Sequence, residues 1–140
     1  MATIKHTNWL QLMLGATGTG TIPDLDADDM DVSLLDQTDS GTITAATTNY
    51  DAVDAATVVA TAETVTASIT GGVVTLSGPV TFTAVSGDAA DYLTYFKNSG
   101  TPSTSPLVIT WDSASTGLPV TPNGGDITAT WGSNILVTLA

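Results

Sequence analysis

The stretch Met30-Asp31-Val32-Ser33-Leu34-Leu35 decides the fold class, because apolar side chains alternate along it with polar ones. A period of two is the pattern of a β-strand that turns one face toward a core. Outward from this stretch, short segments rich in β-branched and aromatic residues recur to the end of the chain. The further strands predicted in this way cover residues 56–60, 64–69, 73–76, 80–85, 92–96, 107–111, 127–131 and 135–139.

Turn-forming residues separate these segments at near-regular spacing. Glycine, asparagine, serine and aspartate, the residues that turns favour, cluster at 71–72, 86–88, 98–100, 123–125 and 132–134. Short strands joined by such turns predict an antiparallel β-sandwich or barrel of about eight strands; the pattern does not distinguish between the two. The spacing of Tyr50, Val53 and Asp54 fits either a helical turn or a connecting loop.

The amino-terminal part of the chain differs from the rest. Residues 8–14 predict a short helix that Asn8 caps and Gly15 ends. Residues 16–29 supply no apolar face and predict an extended arm. We therefore expect an arm with a short helix over residues 1–29 and a single β domain over residues 30–140. The residues predicted to form an interface are Trp9, Leu10, Leu12, Met13, Leu14, Ile22 and Pro23.

The charge balance argues against several classes of partner. The chain has 14 acidic residues, two lysines and no arginine, for a net charge of −12. Nucleic acids and anionic membrane surfaces are recognised by clustered lysine and arginine, so neither is expected as a partner. No apolar run reaches the ~18 residues of a membrane span, and the first residues lack a secretion signal, which predicts folding in a cytoplasm. Cysteine is absent, so no disulfide is expected.

Candidate chemical sites are few. Asp24, Asp26 and Asp28 match the opening of a helix-loop-helix calcium site, but Asp29 stands where that loop needs glycine and Leu35 where it needs glutamate. A solvated loop is therefore the preferred interpretation. His6, the one histidine, has no cysteine or second histidine for a zinc site and is expected at a surface or interface. We expect no enzymatic activity, cofactor or metal.

The aromatic residues allow two interpretations. Trp9, Trp111 and Trp131, together with the tyrosines, fit a platform that stacks on sugar rings. However, Trp111 and Trp131 end alternating segments, where large side chains commonly close the core of a sandwich. The second interpretation is preferred.

Several stretches resemble a family of small structural proteins of tailed bacteriophages. They are the opening residues 5–16 (KHTNWLQLMLGA), residues 31–36 (DVSLLD), residues 80–90 (VTFTAVSGDAA) and, most tellingly, residues 113–131 (SASTGLPVTPNGGDITATW). The similarity is spread over most of the chain. None of these motifs is catalytic, so the resemblance implies a setting in the virion and assigns no site.

The resemblance implies a head decoration or cement protein. Such proteins bind the outer surface of the capsid at junctions between major capsid subunits, often as trimers, and stabilise the head. This chain is accordingly expected to be a homotrimer on the outer capsid surface, made in the host cytoplasm. The alternatives are a head-fibre or tail module that contacts host glycans and a calcium-stabilised domain of a bacterial surface protein.

Overall fold

A computed structural model describes residues 3–7, 23–25, 27–38, 43–53, 55–62, 67–70, 73–76, 79–111, 118–130 and 135–138. Within these ranges the all-β prediction is confirmed. Apart from Thr7, which has α-helical backbone, the helical structure there consists of three-residue 3-10 turns at Tyr50–Ala52, Ala55–Thr57 and Pro102–Thr104. The predicted helix over residues 8–14 lies outside the described residues.

The described residues form ten strands, and every pairing between them is antiparallel. The strands are β1 (Thr3–Lys5), β2 (Met30–Leu35), β3 (Val58–Ala62), β4 (Ala67–Thr70), β5 (Val73–Leu76), β6 (Val80–Phe82), β7 (Tyr92–Lys97), β8 (Leu107–Trp111), β9 (Ile127–Ala129) and β10 (Ile135–Thr138). Three of them, β2, β5 and β8, have the predicted bounds. The others begin or end within three residues of the prediction, except β1, which was not predicted.

The strands form three sheets. The large sheet has the order β1-β8-β7-β2-β3, a second sheet has the order β10-β5-β4, and β6 pairs with β9. Each order is open, with an edge strand at both ends, so the described strands form a layered sandwich rather than a closed barrel.

One face of the large sheet, called here the first face, carries the main core. Apolar side chains of β2, β7 and β8 pack there against β4, β5 and β6. Phe82 and Leu76, from the two small sheets, are each 1% exposed. Burial of this apolar layer is the dominant favourable contribution to folding.

The opposite face of the large sheet, the second face, is also covered. Leu35, Phe96 and Leu107 pack there with Ile43 and Val53 from the segment between β2 and β3. Tyr50, in the 3-10 turn of that segment, stacks on Phe96 with ring centroids 4.0 Å apart and 14° between the ring planes. All six residues of β2 are consequently buried, although its alternation predicted one dry face.

Two parts of the predicted arm pack with the β domain. Residues 3–5 form β1, which pairs with β8 at the edge of the large sheet. Leu25 is 4% exposed and belongs to the main core. Three residues are too few to show a strand period, and an isolated leucine shows none, so neither position gave a signal in the sequence.

Two tyrosines differ in how their hydroxyl groups are satisfied. The Tyr95 hydroxyl is buried in the main core and has no hydrogen-bond partner among the residues that the structure describes, whereas the Tyr50 hydroxyl lies 2.9 Å from Ser33 Oγ. Burial raises the pKa of Tyr95, so it stays neutral. A buried polar group without a partner costs stability, and removing it can be neutral or stabilising.

We therefore expect Tyr95→Phe to leave the free energy of unfolding unchanged or to raise it by up to about 1 kcal/mol. The matched variant Tyr50→Phe removes a hydroxyl that is bonded and should lower it by about 1 kcal/mol. Urea unfolding of both variants measures the difference. A larger loss in Tyr95→Phe than in Tyr50→Phe would contradict this assignment.

Candidate functional site

The predicted interface residues fall mostly outside the described part of the chain. Trp9, Leu10, Leu12, Met13, Leu14 and Ile22 lie there. Pro23 is described and is buried. The structure therefore brings none of these residues together into a visible site, and the interface remains a prediction.

His6 was expected at a surface or interface, but within this chain it is buried, so the expectation of a surface position is wrong. Its side chain is 0% exposed, and the ring nitrogens lie 2.9 Å from the Thr47 carbonyl oxygen and 2.9 Å from Thr110 Oγ1. Its backbone N–H bonds the carbonyl of Val108 in β8, which extends the pairing of β1. A lone histidine carries no sequence signal for such a position, because the residues that bury it are distant in the chain.

The partners of His6 fix the direction of a chain of hydrogen bonds. A carbonyl oxygen only accepts, so Nδ1 carries the proton that is donated to Thr47. In the neutral ring Nε2 then accepts from the Thr110 hydroxyl. Thr110 Oγ1 in turn accepts from Thr94 Oγ1, 2.8 Å away. The hydrogen bonds therefore run in one direction: Thr94 donates to Thr110, Thr110 donates to His6, and His6 donates to the Thr47 carbonyl.

Thr110 and His6 show the separation of a nucleophile and a base, but their setting differs from that of a catalytic pair. Both side chains are 0% exposed, and Nδ1 faces a carbonyl rather than a carboxylate. A substrate cannot reach a hydroxyl in this position. The pair therefore holds β1, β8 and the segment around Thr47 together.

A second group of hydroxyls continues along the same row of the sheet. Ser33 lies directly opposite Thr94 on β7 and Thr61 on β3. Its Oγ is 2.8 Å from Thr61 Oγ1 and 2.9 Å from the Tyr50 hydroxyl. The second face thus carries a row of polar side chains that runs from β1 to β3.

A cleft of about 240 Å³ is lined by Tyr50 and Thr61, the two hydrogen-bond partners of Ser33 on the second face. Its least exposed lining residues are Asp31, Phe96 and Ser105, at 2%, 4% and 2%. Its remaining lining residues are more accessible: Tyr50, Thr61, Asn98, Gly100 and Pro102. The cleft combines a buried carboxylate, an aromatic ring and several hydroxyl and amide groups, and is the candidate functional site.

The carboxylate of Asp31 is held in place by Asn98. Asn98 Nδ2 donates to Asp31 Oδ2 at 2.8 Å, while Asn98 Oδ1 accepts from the Gly100 backbone N–H at 2.9 Å. Gly100 has a φ of +79°, a conformation that side chains with a Cβ rarely adopt. Hydrogen bonds at both the nitrogen and the oxygen therefore fix the orientation of the Asn98 side-chain amide.

The loop on the far side of the cleft is tied together internally. Ser105 Oγ donates to the Thr101 carbonyl at 2.9 Å and accepts from the Ser99 backbone N–H at 3.1 Å. Ser99 Oγ also bonds Thr104 Oγ1 at 2.6 Å. These contacts preorganise the wall of the cleft. The serine and glycine content of residues 98–105 predicted a turn here but not its position beside Asp31.

The acidic loop before β2 is partly neutralised by a lysine. Lys97 Nζ lies 2.8 Å from Asp28 Oδ2, which also accepts from the Asp24 N–H at 2.6 Å. Partial burial raises the pKa of Asp28, but Lys97 and the Asp24 N–H outweigh it and the net pKa is lowered. Among the described residues no three acidic or histidine side chains are placed to hold a metal ion; Asp26 lies outside them.

The aromatic residues are divided between core and cleft. Trp111 is 6% exposed and belongs to the main core, as the preferred interpretation predicted. Tyr95 is also fully buried, whereas Tyr50 and Tyr92 are half-buried. Trp9 and Trp131 lie outside the described residues. The aromatic side chains that the structure describes therefore do not line up as an exposed ridge.

No family model matches the chain, and no curated protein matches it. Within the described part of the chain, no helix is long and apolar enough to cross a membrane.

Burial of His6 predicts a defined pH dependence of stability. Burial lowers the pKa of His6 from 6.5 to about 4, and hydrogen bonds to the Thr47 and Thr44 backbone oppose that shift only in part. Between these two values the unfolded chain binds a proton that the folded chain does not. The stabilisation is complete above pH 6.5 and is lost as the pH falls toward 4, by about 3 kcal/mol in total.

The measurement is urea unfolding at several pH values between about 7 and 5, where His6 is the one side chain with an ordinary pKa in range. The free energy of unfolding should fall with pH in the wild type. In His6→Gln, which lacks the titrating group, the slope should be much smaller. Equal slopes in the two proteins would show that His6 is not the cause.

Proposed function

We propose that this chain is a capsid decoration or cement protein of a tailed bacteriophage, which binds the outer shell at junctions between major capsid subunits. The observation that carries the proposal is the charge, joined to the resemblance of the motifs. With a net charge of −12, the chain is repelled by packaged DNA, whereas the outer surface of the shell imposes no such penalty.

The positions of the two lysines support this placement. Lys97 is paired with Asp28, and Lys5 is exposed on β1 at the edge of the large sheet. Two lysines, one of them engaged by Asp28, do not make the basic patch that phosphate binding requires.

The open edges of the sheets supply a means of association. The large sheet ends in β1 and β3, and the second sheet ends in β4 and β10. Edge strands present backbone N–H and C=O groups that pair with a strand of a neighbouring chain. In the proposed homotrimer such pairing joins the copies. The segment with Trp9, Leu10, Leu12, Met13, Leu14 and Ile22 contacts a neighbour, whereas Pro23 is buried within the chain.

Stabilisation of the head then follows from mass action. A protein that binds the assembled shell and not its dissociated subunits shifts the equilibrium toward the shell. Individually weak contacts suffice, because several copies or several sites act together.

The alternative, a head-fibre or tail module that contacts host glycans, requires accessible aromatic rings. Tyr50 and Tyr92 are partly accessible, but the buried Trp111 is withdrawn from any such surface. The decoration function is therefore preferred.

The test is co-sedimentation of the purified protein with assembled capsids of a tailed phage whose genome encodes it, with DNA-filled and empty shells compared. We expect stoichiometric binding to both, since the outer surface is the target, and a solution mass near three chains. Shells that bind the protein should open at a higher temperature. Absence of binding would refute the proposal, and binding to an immobilised glycan array would favour the fibre function instead.

A further inference from the structure

The edge strand β1 is held to the large sheet at a titratable side chain. Among the described strands β1 borders β8 alone, and the two pair over three residues of β1. His6 follows β1 directly and is 0% exposed. We propose that His6 is an acid-sensitive latch: its neutral ring holds β1 on the sheet, and its protonation releases β1 while the rest of the sheet stays folded. The latch stands on contacts within the chain, and only its consequence for capsid binding rests on the proposed function.

His6 links β1 to two other parts of the chain. Its Nδ1 donates to the Thr47 carbonyl in the segment between β2 and β3, and its Nε2 accepts from the Thr110 hydroxyl on β8, each at 2.9 Å. The backbone adds two bonds, one from the His6 N–H to β8 and one from the Thr7 N–H to the segment between β2 and β3. Displacement of the ring therefore removes the side-chain bonds to both parts together.

Protonation of the ring reverses the hydrogen bonds on one side of it. Both ring nitrogens of an imidazolium donate, so Thr110 Oγ1 would have to accept from Nε2. The Thr110 hydroxyl can then donate to Thr94 Oγ1 at 2.8 Å, and the Thr94 hydroxyl to the Ile109 carbonyl at 3.5 Å. Each polar group can keep a partner in this way. The cost of protonation is therefore the burial of a positive charge.

The elements around the ring supply no counter-charge within the described ranges. β8 and residues 43–49 contain no ionisable side chain, and the acid of the large sheet that shares this face, Asp31, lies on β2, with β7 between β2 and β8. The ionisable side chains of β1 and β7 are Lys5, Tyr92, Tyr95 and Lys97. By alternation all of these except Tyr92 point to the first face, and Tyr92 is a phenol, which is uncharged in acid.

Burial without a counter-charge sets the direction of the effect. It lowers the pKa of His6 from 6.5 to about 4, and the backbone hydrogen bonds to Thr47 and Thr44 oppose that shift only in part. In the released state the ring lies in water and takes up a proton at its ordinary pKa. Release is therefore favoured as the pH falls below 6.5.

Release of β1 leaves the apolar cores complete. Among the described residues, neither apolar cluster includes a side chain of β1. The strands β8, β7, β2 and β3 remain paired with one another when β1 leaves. Parts of a structure with few buried apolar contacts open at the lowest free energy. Protonation is therefore relieved by the opening of β1 before the sheet unfolds.

Opening has two consequences for association. It uncovers the edge of β8, whose backbone N–H and C=O groups then lack a partner strand. It also unties the start of residues 8–14 from the sheet, because they follow His6 and Thr7 directly. In the proposed decoration protein this segment contacts a neighbour, so binding to the shell should weaken in acid.

The test is hydrogen exchange of the full chain, followed by NMR and corrected for the intrinsic exchange rate at each pH. The opening constant reported by the His6 and Thr7 amides should rise about fiftyfold or more between about pH 7 and about pH 4.5. The slowest amides of β2 and β7 should stay at least about a hundredfold better protected than these two at the lower pH. Equal loss of protection in β1 and in the centre of the sheet, or unchanged protection of His6 and Thr7, would overturn the latch.

Two variants separate the ring from other titrating groups. His6→Gln keeps a neutral donor and acceptor, and its opening constant should change by less than about threefold over the same pH range. Lys5→Ser, the matched change at an exposed position of β1, should keep the response of the wild type. A full response in His6→Gln would contradict the proposal. If that variant does not fold, the comparison of β1 with the central amides in the wild type still decides.

Capsid binding at about pH 7, where the latch is closed, distinguishes this inference from the function. Co-sedimentation at that pH without acid release of β1 overturns the latch and leaves the decoration function. Acid release of β1 without co-sedimentation refutes the decoration function and leaves the latch. Binding to the shell that is equally tight with β1 released would overturn the proposed consequence for association.

Discussion

The arrangement on which the rest of the structure depends is the row of polar side chains on the second face of the large sheet, which forms two hydrogen-bonded groups. A sheet buried on one side only would leave polar residues in water, but here the segment between β2 and β3 covers them. Ser33, Thr94 and Thr110 lie opposite one another on three neighbouring strands. Because a buried hydroxyl without a partner is costly, each must be satisfied within the layer. His6 completes the row, and with it β1 and the covering segment are joined to the sheet.

The same layer explains where the candidate cleft lies. The row ends near β3, where Ser33 bonds both Thr61 and Tyr50. Tyr50 is thereby held against Phe96. Asp31 lies two positions before Ser33 along β2 and therefore points to the same face of the sheet. Polar side chains of the second face therefore hold the segment between β2 and β3 in place, and they also line the cleft. A purely apolar second face would cover equally well but would place no carboxylate there.

The alternation of Met30–Leu35 and the turn residues sufficed to predict the fold class, and most strand positions followed from them. They did not predict β1, whose three residues are too short to show a period, nor the burial of His6 and of Asp31. Those depend on contacts far apart in the chain: 104 positions separate His6 from Thr110, and 67 separate Asp31 from Asn98. The cleft has no sequence motif for the same reason. Net charge and composition need no spatial information, and from them the sequence predicts that nucleic acids and anionic membranes are not partners.

The most direct test of this account is the tautomer and charge of His6, measured from the ring ¹⁵N chemical shifts of the labelled protein as the pH is lowered. The account predicts a neutral ring with the proton on Nδ1, donated to the Thr47 carbonyl, and no protonation until the pH is well below 6.5. A ring protonated on Nε2, or one that titrates near pH 6.5, would contradict it. Either result would mean that the row does not end on His6 as described.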